Sequence, residues 1–304
     1  MSRSIGMHVH SFSLRFHLRY EAMNVFDYID HARAQGFTGV NISANGPGFR
    51  DLGGISSAHL ASVRQHLTGM PCEIDTSSTE PEHVQHMLGV ATAVGADTLR
   101  TYTRHTGDLP DIIERTIGDL VAVGPMAADA GVLVVLENHE DFTGPVIARI
   151  LAAVDHPSIR ALYDYGNSQM VGEDPIAALE AMAPYTARVH AKDHEIVEDH
   201  HGRWVQGVPM GAGRLPIIDQ TNRLYAAGVR RFCFENVWSY VAPLRAATTP
   251  DTPPFIPREG AVRIDGNLLA PVAAIEQERI AFDQGWSWFR RSLQEAGYTI
   301  EAMG

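Results

Sequence analysis

Short runs of apolar residues alternate with longer amphipathic segments along the whole chain of 304 residues. Short apolar runs bounded by turn residues are typical of buried β-strands, whereas apolar positions repeating every three to four residues are typical of helices. The pattern predicts strands at residues 5–10, 38–43, 71–76, 97–102, 132–137, 160–165, 187–192 and 230–235. It predicts helices at residues 24–35, 56–67, 81–95, 111–130, 144–154, 174–182, 216–227 and 271–296.

Eight strands, each followed by a helix, indicate an α/β protein of the (β/α)₈ TIM-barrel class, formed as one domain over residues 1–304. A typical barrel has about 250 residues, and the additional residues of this chain lie at 195–215 and 238–270, as extended loops after the seventh and eighth strands. Loops at that end of a barrel carry its active site, although a passive excursion is the alternative for 238–270. A doubly wound open sheet is the rival fold, but neither a GxGxxG motif nor a P-loop follows any predicted strand.

Composition and charge exclude several classes of partner. The formal net charge is −12, so we expect no nucleic-acid partner, because such surfaces need clustered Lys and Arg. The longest apolar stretch, residues 131–138, is far shorter than a membrane span, and the first residues lack the apolar region of a secretory signal. Cys72 and Cys233 lie in apolar surroundings, which is typical of buried thiols. We therefore expect a cytoplasmic protein without a membrane partner.

Four chemically active residues stand at the carboxyl ends of the last four predicted strands. They are Glu137, Asp164, His190 and Glu235. The active sites of such barrels lie at this end of the strands. Three carboxylates so close together repel one another unless a cation lies between them. An oxygen-rich set with one imidazole suits one divalent metal ion, with Mn²⁺ as the first choice and Mg²⁺, Co²⁺ or Zn²⁺ as alternatives.

The strand-end motifs resemble those of the xylose isomerase-like TIM-barrel superfamily of sugar isomerases and epimerases. The motifs are LEN with Glu137, LYDYGN with Asp164, HAKD at 190–193, GAG at 211–213 and FEN with Glu235. The resemblance implies that Glu137, Asp164, His190 and Glu235 bind one divalent metal. In the epimerase branch, it also implies that Glu137 and Glu235 move the proton on opposite faces of the substrate. The sequence departs from many epimerases at residues 165–167, where it reads Tyr-Gly-Asn.

Such a site implies a sugar isomerase or epimerase acting on a ketose or keto-sugar derivative through an enediolate. Return of the proton to the same carbon from the other face gives epimerisation, and return to the neighbouring carbon gives isomerisation. Expulsion of a β-substituent or loss of CO₂ would make the protein a lyase, such as a 3-keto-glycoside eliminase or a keto-acid decarboxylase. The sequence leaves these outcomes open.

Six further residues are candidates for contact with the substrate. His139 lies two residues after Glu137, and Lys192 and His194 have the same parity as His190, so in an extended chain they share its face. Lys192 is the only lysine in the chain, and a compact ammonium suits a place beside a metal site. We expect His139 and Lys192 to be catalytic, and His194 to bind substrate. His10, at the end of the first strand, and Arg100 and Tyr102, at the end of the fourth, are the remaining substrate-binding candidates.

Two other classes are less consistent with the residues. A hydrolase of the endonuclease IV type would need more His and Asp ligands and a basic groove for DNA, which the charge of −12 does not favour. A non-catalytic scaffold would have no use for this much negative charge in one pocket. We therefore expect a small sugar or sugar-derived substrate, and a homo-oligomer remains open.

Overall fold

The computed structural model describes residues 3–245 and 254–302. Eight parallel strands form a barrel, which closes because the last of them pairs with both the seventh and the first. These strands are β1 (Arg3–His10), β2 (Gly39–Ser43), β3 (Cys72–Asp75), β4 (Thr98–Thr101), β5 (Leu133–Glu137), β6 (Ile159–Asp164), β7 (Thr186–Ala191) and β10 (Arg231–Phe234). The predicted barrel is confirmed, and each predicted strand is within two residues of an observed one at both ends.

Helices surround the barrel at the positions that the sequence predicts. They are α2 (Val25–Ala34), α3 (Ser57–Leu67), α4 (Pro81–Val94), α5 (Leu109–Ala130), α6 (Gly144–Val154), α8 (Pro175–Met182), α9 (Ile217–Ala226) and α10 (Pro271–Glu295). Two short helices that the sequence did not predict are α1 (Arg15–Arg19) and α7 (Asn167–Met170). None of the described helices is both long and apolar enough to cross a bilayer.

Local chemistry sets the ends of these helices. Asn24 forms a capping box with Asp27 at the start of α2, which satisfies backbone N–H groups that the first turn leaves unpaired. Gly95 and Gly131 end α4 and α5 in the left-handed conformation that glycine adopts without steric cost. The chain therefore returns to the barrel at defined points after each helix.

The segment after β7 is a β-hairpin, whereas the sequence predicted an extended loop there. Strands β8 (Asp193–Asp199) and β9 (Gly202–Val208) pair antiparallel, and β11 (Val241–Pro243) adds to β9. Of the segment 238–270, residues 246–253 lie outside the described residues. A short strand, β12 (Tyr298–Ile300), pairs with the start of β1.

Charged side chains occupy part of the barrel interior. Glu73 in β3 is 1% exposed, and its Oε1 atom lies 3.1 Å from Arg188 Nε, 3.2 Å from Arg231 Nη1 and 3.4 Å from His8 Nδ1. Gly39 makes room for this layer, because a Cβ at that position would lie 2.2 Å from His8 Nε2. The ionic layer lies on the amino-terminal side of the strand ends that carry the candidate site.

Candidate metal centre

Parallel strand pairing brings the four predicted metal ligands together. Glu137 and Asp164 are the last residues of β5 and β6, His190 is the penultimate residue of β7, and Glu235 directly follows β10. Asp164 and His190 are partners in the register of β6 and β7. All four side chains are buried, so water cannot fully compensate their charges.

The distances between these side chains suit a shared cation. Ligand atoms of Glu137, Asp164 and His190 all lie within 4.8 Å of one another. His190 Nδ1 is 3.4 Å from Glu137 Oε1 and 4.0 Å from Glu235 Oε2. Among the described residues, Asp164 Oδ2 and Glu235 Oε2 have no hydrogen-bond partner. One ammonium, that of Lys192, faces both oxygens, at 3.0 Å from Asp164 and 3.9 Å from Glu235. Buried carboxylates need further compensation, which coordination of a divalent ion would supply. The residues therefore fit the metal that the resemblance implies.

The pKa values of three of these residues shift in different ways. Burial raises the pKa of Asp164 to about 6 even though Lys192 opposes the shift. Burial also acts to raise the pKa of Glu137, but Arg100 and the hydrogen bond with His190 hold it well below its usual range. Burial alone would lower the pKa of His190, and the carboxylates around it, led by Glu137, instead raise it to about 9. Without a cation, the site therefore retains protons that a metal would displace.

Lys192 lies directly beside the metal ligands. Its Nζ donates a hydrogen bond to Asn167 Oδ1 at 2.7 Å, and it lies 3.0 Å from Asp164 Oδ2 and 3.9 Å from Glu235 Oε2. Burial would lower its pKa, but Asp164 and Glu235 raise it above the usual value. Lys192 is therefore a protonated donor at neutral pH and cannot act as a general base.

Arg100 contacts carboxylates within the site. Its Nη2 donates to Glu137 Oε2, and its Nη1 lies 3.6 Å from Asp75 Oδ2. Both terminal nitrogens thus hold protein groups in place, although the side chain also lines the cavity. Arg100 therefore orients Glu137, which the sequence analysis did not anticipate.

A second cluster of possible metal ligands shares His190. It consists of His10, Asp75 and His190. His10 Nδ1 accepts a hydrogen bond from the Phe12 N–H, so its Nε2 carries the proton and donates to Asp75 Oδ2 at 2.7 Å. Both ring nitrogens of His10 are thus engaged in hydrogen bonds, so His10 has no free lone pair to offer a metal. The set with Asp164 and Glu235 is consequently the better candidate.

A cavity of about 230 Å³ opens above the ligands. Eight of the predicted site residues line it, namely His10, Arg100, Tyr102, Glu137, His139, Asp164, Lys192 and Glu235. The side chains of Tyr102 and His139 stack with ring centroids 3.9 Å apart. Burial lowers the pKa of His139 to about 4, so its imidazole is neutral at pH 7.

Two predicted residues do not line the cavity. His190 lies beside it as a buried ligand candidate. His194 is fully buried next to Gly166, and a Cβ added to Gly166 would lie 2.5 Å from Nδ1 of His194. The parity argument failed for His194 because β7 ends at Ala191 and the chain enters the hairpin strand β8 at Asp193. We do not propose His194 as a substrate contact.

The cavity is also lined by residues outside the predicted set. Asp75 ends β3 in the same way as the predicted ligands end their strands, so the strand-end signal could have identified it. Asn167 belongs to the YDYGN motif and accepts the hydrogen bond from Lys192. Tyr240 donates to Glu140 across the cavity. Asn167 begins the short helix α7 and Tyr240 lies in a loop, and no periodic pattern predicts either contact.

The comparisons with known proteins agree with this architecture. A relative from Escherichia coli (strain K12), the uncharacterized protein YihM, is 26% identical over 262 residues, which is 84% of this chain and 80% of that protein.

Among solved structures, a D-psicose 3-epimerase determined in the presence of D-fructose has a TM-score of 0.66 at 12% identity, covering 96% of this chain and 100% of that one. The IOLI protein, whose structure has a binding zinc atom, has a TM-score of 0.62 at 12% identity, with 93% and 99% covered. At these identities the structural likeness establishes the fold.

The family model described as xylose isomerase-like TIM barrel matches residues 29–253, well over half of the chain. The resemblance drawn from the strand-end motifs is thereby confirmed. The chain belongs to the xylose isomerase-like TIM-barrel family.

Proposed function

We propose that the protein is a divalent-metal-dependent isomerase or epimerase of an uncharged ketose or keto-sugar derivative. The observation that carries the proposal is the convergence of Glu137, Asp164, His190 and Glu235, three buried carboxylates and one imidazole around a single lysine ammonium. A divalent ion held there, with Mn²⁺ as the first choice, would supply Lewis-acid polarisation of a substrate carbonyl. The solved epimerase of similar fold supports this proposal.

Glu235 is the better placed of the two glutamates to remove a proton from carbon. Its side chain lines the cavity, and its Oε1 lies 4.0 Å from His10 Nδ1, too far for a hydrogen bond. Glu137, in contrast, is held through Oε2 by Arg100 and lies close to His190 through Oε1. We therefore assign proton removal to Glu235, and proton return on the opposite face to Glu137.

The remaining cavity residues suit the orientation of a polyol. Lys192 Nζ can donate to a substrate hydroxyl or carbonyl oxygen next to Glu235. The neutral imidazole of His139 can donate or accept a hydrogen bond with a hydroxyl group. These two residues thus orient the substrate and assist proton transfer at its oxygens.

The charge of the cavity favours an uncharged substrate. Five carboxylates line it, belonging to Asp75, Glu137, Glu140, Asp164 and Glu235. The side chains with fixed positive charge in the lining are Arg100 and Lys192. Even with one divalent cation, the lining retains a net negative charge when its histidines are neutral, so a phosphorylated sugar would be repelled. The volume of about 230 Å³ suits a monosaccharide.

The proposal is tested by solvent exchange. The metal-loaded protein is incubated in D₂O with a panel of free ketoses, and the products are analysed by NMR and mass spectrometry. We expect one deuterium to enter at a carbon next to the carbonyl without other change of mass. Loss of CO₂ or of a β-substituent would instead identify the lyase alternative.

Replacement of the proposed base provides the matched test. Glu235→Gln should slow exchange at least about 100-fold, the lower range for loss of a general base. Glu195→Gln is the control, because Glu195 is buried in the hairpin and pairs with Arg258 at 3.0 Å, outside the cavity lining. Normal exchange by Glu235→Gln would contradict the assigned role.

A further inference from the structure

The carboxamide of Asn41 contacts the imidazole of the proposed ligand His190. Asn41 lies in β2 and is completely buried. Its Nδ2 is 3.0 Å from His190 Nε2 and 3.4 Å from Glu73 Oε2. Its Oδ1 has no hydrogen-bond partner among the described residues. One end of this buried amide is therefore shared between two partners, and the other end has none.

The orientation of this amide determines whether Nε2 of His190 can carry a proton. When Nδ2 donates to Nε2, Nε2 must be unprotonated, and a neutral imidazole then carries its proton on Nδ1. Nδ1 is the atom that faces Glu137 Oε1 at 3.4 Å and Glu235 Oε2 at 4.0 Å. In that tautomer, Nδ1 has no free lone pair to offer a metal among these carboxylates.

Rotation of the Asn41 carboxamide by about 180° exchanges two groups of nearly equal size. Oδ1 would then face His190 and accept a hydrogen bond from Nε2–H, and the lone pair of Nδ1 would be free. The unpaired oxygen would gain a partner, and Nδ2 would give up its weak contact with Glu73 and move to the position that has no partner among the described residues. The charge of Glu73 is compensated by Arg188 and Arg231, which reduces its repulsion of the rotated oxygen.

We propose that Asn41 is the positioning residue that fixes the ligating tautomer of His190, by accepting Nε2–H through Oδ1 when an ion binds at Nδ1. This inference rests on the proposed metal site. Metal-ligating histidines commonly donate their other N–H to a neighbouring acceptor, and loss of that acceptor weakens metal binding about 10- to 100-fold.

The test compares three variants by titrating metal-free protein with Zn²⁺ against a chromophoric chelator. Asn41→Leu has nearly the same size but no acceptor, so its dissociation constant for Zn²⁺ should rise about 10- to 100-fold. Asn41→Asp keeps an acceptor and should bind within a few-fold of the wild type. Gln220→Leu removes another fully buried amide, which donates to Tyr163, and should leave the constant unchanged.

A spectroscopic measurement separates positioning from a purely structural role. In the Zn²⁺-loaded wild type, ¹⁵N NMR of labelled histidine should show His190 protonated at Nε2, with this proton protected from exchange. Asn41→Leu should lose that protection. Equal Zn²⁺ affinity of Asn41→Leu and the wild type would overturn this inference alone, as would equally weak binding by Asn41→Asp and Asn41→Leu. A wild type that binds no divalent ion would remove the proposed function as well.

Discussion

Replacement of Lys192 by methionine should have opposite effects on stability and on metal affinity. The ammonium of Lys192 lies 3.0 Å from Asp164 Oδ2 and 3.9 Å from Glu235 Oε2, and it is 7% exposed. Methionine keeps most of the volume and removes the charge. In metal-free protein, the two carboxylates would then lose their nearest cation.

The magnitude follows from the cost of breaking a buried ion pair, which is about 3–5 kcal/mol. The lower end applies here because Asp164, whose pKa is already about 6, can take up a proton. We therefore expect the unfolding free energy of the metal-free variant to fall by about 3 kcal/mol. A bound divalent ion compensates the same oxygens, so the loaded variant should lose about 1 kcal/mol. The difference of about 2 kcal/mol corresponds to roughly 30-fold tighter metal binding.

Urea unfolding with chelator and with excess Mn²⁺, together with a Mn²⁺ titration, measures these quantities. Arg279→Met is the control, because it removes a cation from an exposed pair with Asp283 in α10 and should change stability by less than about 1 kcal/mol. Turnover of Lys192→Met should fall despite the tighter binding, since a substrate donor is lost. Weaker Mn²⁺ binding by Lys192→Met would refute this account of the lysine.

Two further predictions concern the scaffold. Burial lowers the pKa of His8 to about 4, whereas in the unfolded chain the same imidazole takes up its proton near pH 6.5. The free energy of unfolding should therefore fall as the pH drops from 6.5 to 4, and His8 alone should account for about 3 kcal/mol of that loss. Urea unfolding at pH 7 and pH 4.5 should show a smaller loss in His8→Gln, and an unchanged loss would contradict the assignment. Gly213→Ala should lower the free energy of unfolding by about 1–3 kcal/mol, because the added Cβ would lie 2.2 Å from Asp193 Oδ1. Gly89→Ala, with open space around its Cβ in α4, is the control, and equal thermal unfolding of both variants would argue against the clash.

The fold was predictable because local signals and burial agree along the chain. Each barrel strand is a short apolar run, and the helices between them begin and end at capping residues such as Asn24 and Gly95. The hairpin β8–β9 was missed because its strands were interpreted as an extension of a loop. Its first residues, Asp193 and His194, directly follow β7, so the change of direction has no clear signal in the apolar pattern.

The candidate metal ligands were predictable because parallel strands place their carboxyl ends at one rim. Register alone then brings Asp164 next to His190. Contacts that depend on side-chain direction were harder to predict. Arg100 lines the cavity but also donates to Glu137, and the amide of Asn41 reaches His190 across the barrel. Such contacts depend on side-chain conformation, which hydrophobic periodicity does not specify.

The most direct test of the metal centre is calorimetric titration of metal-free protein with Mn²⁺. The wild type should bind one ion per chain, and a Glu137→Gln, Glu235→Gln double variant that remains folded by circular dichroism should bind none with measurable affinity. Equal binding by the wild type and the double variant, or the absence of binding by the wild type, would contradict a cation shared by these residues.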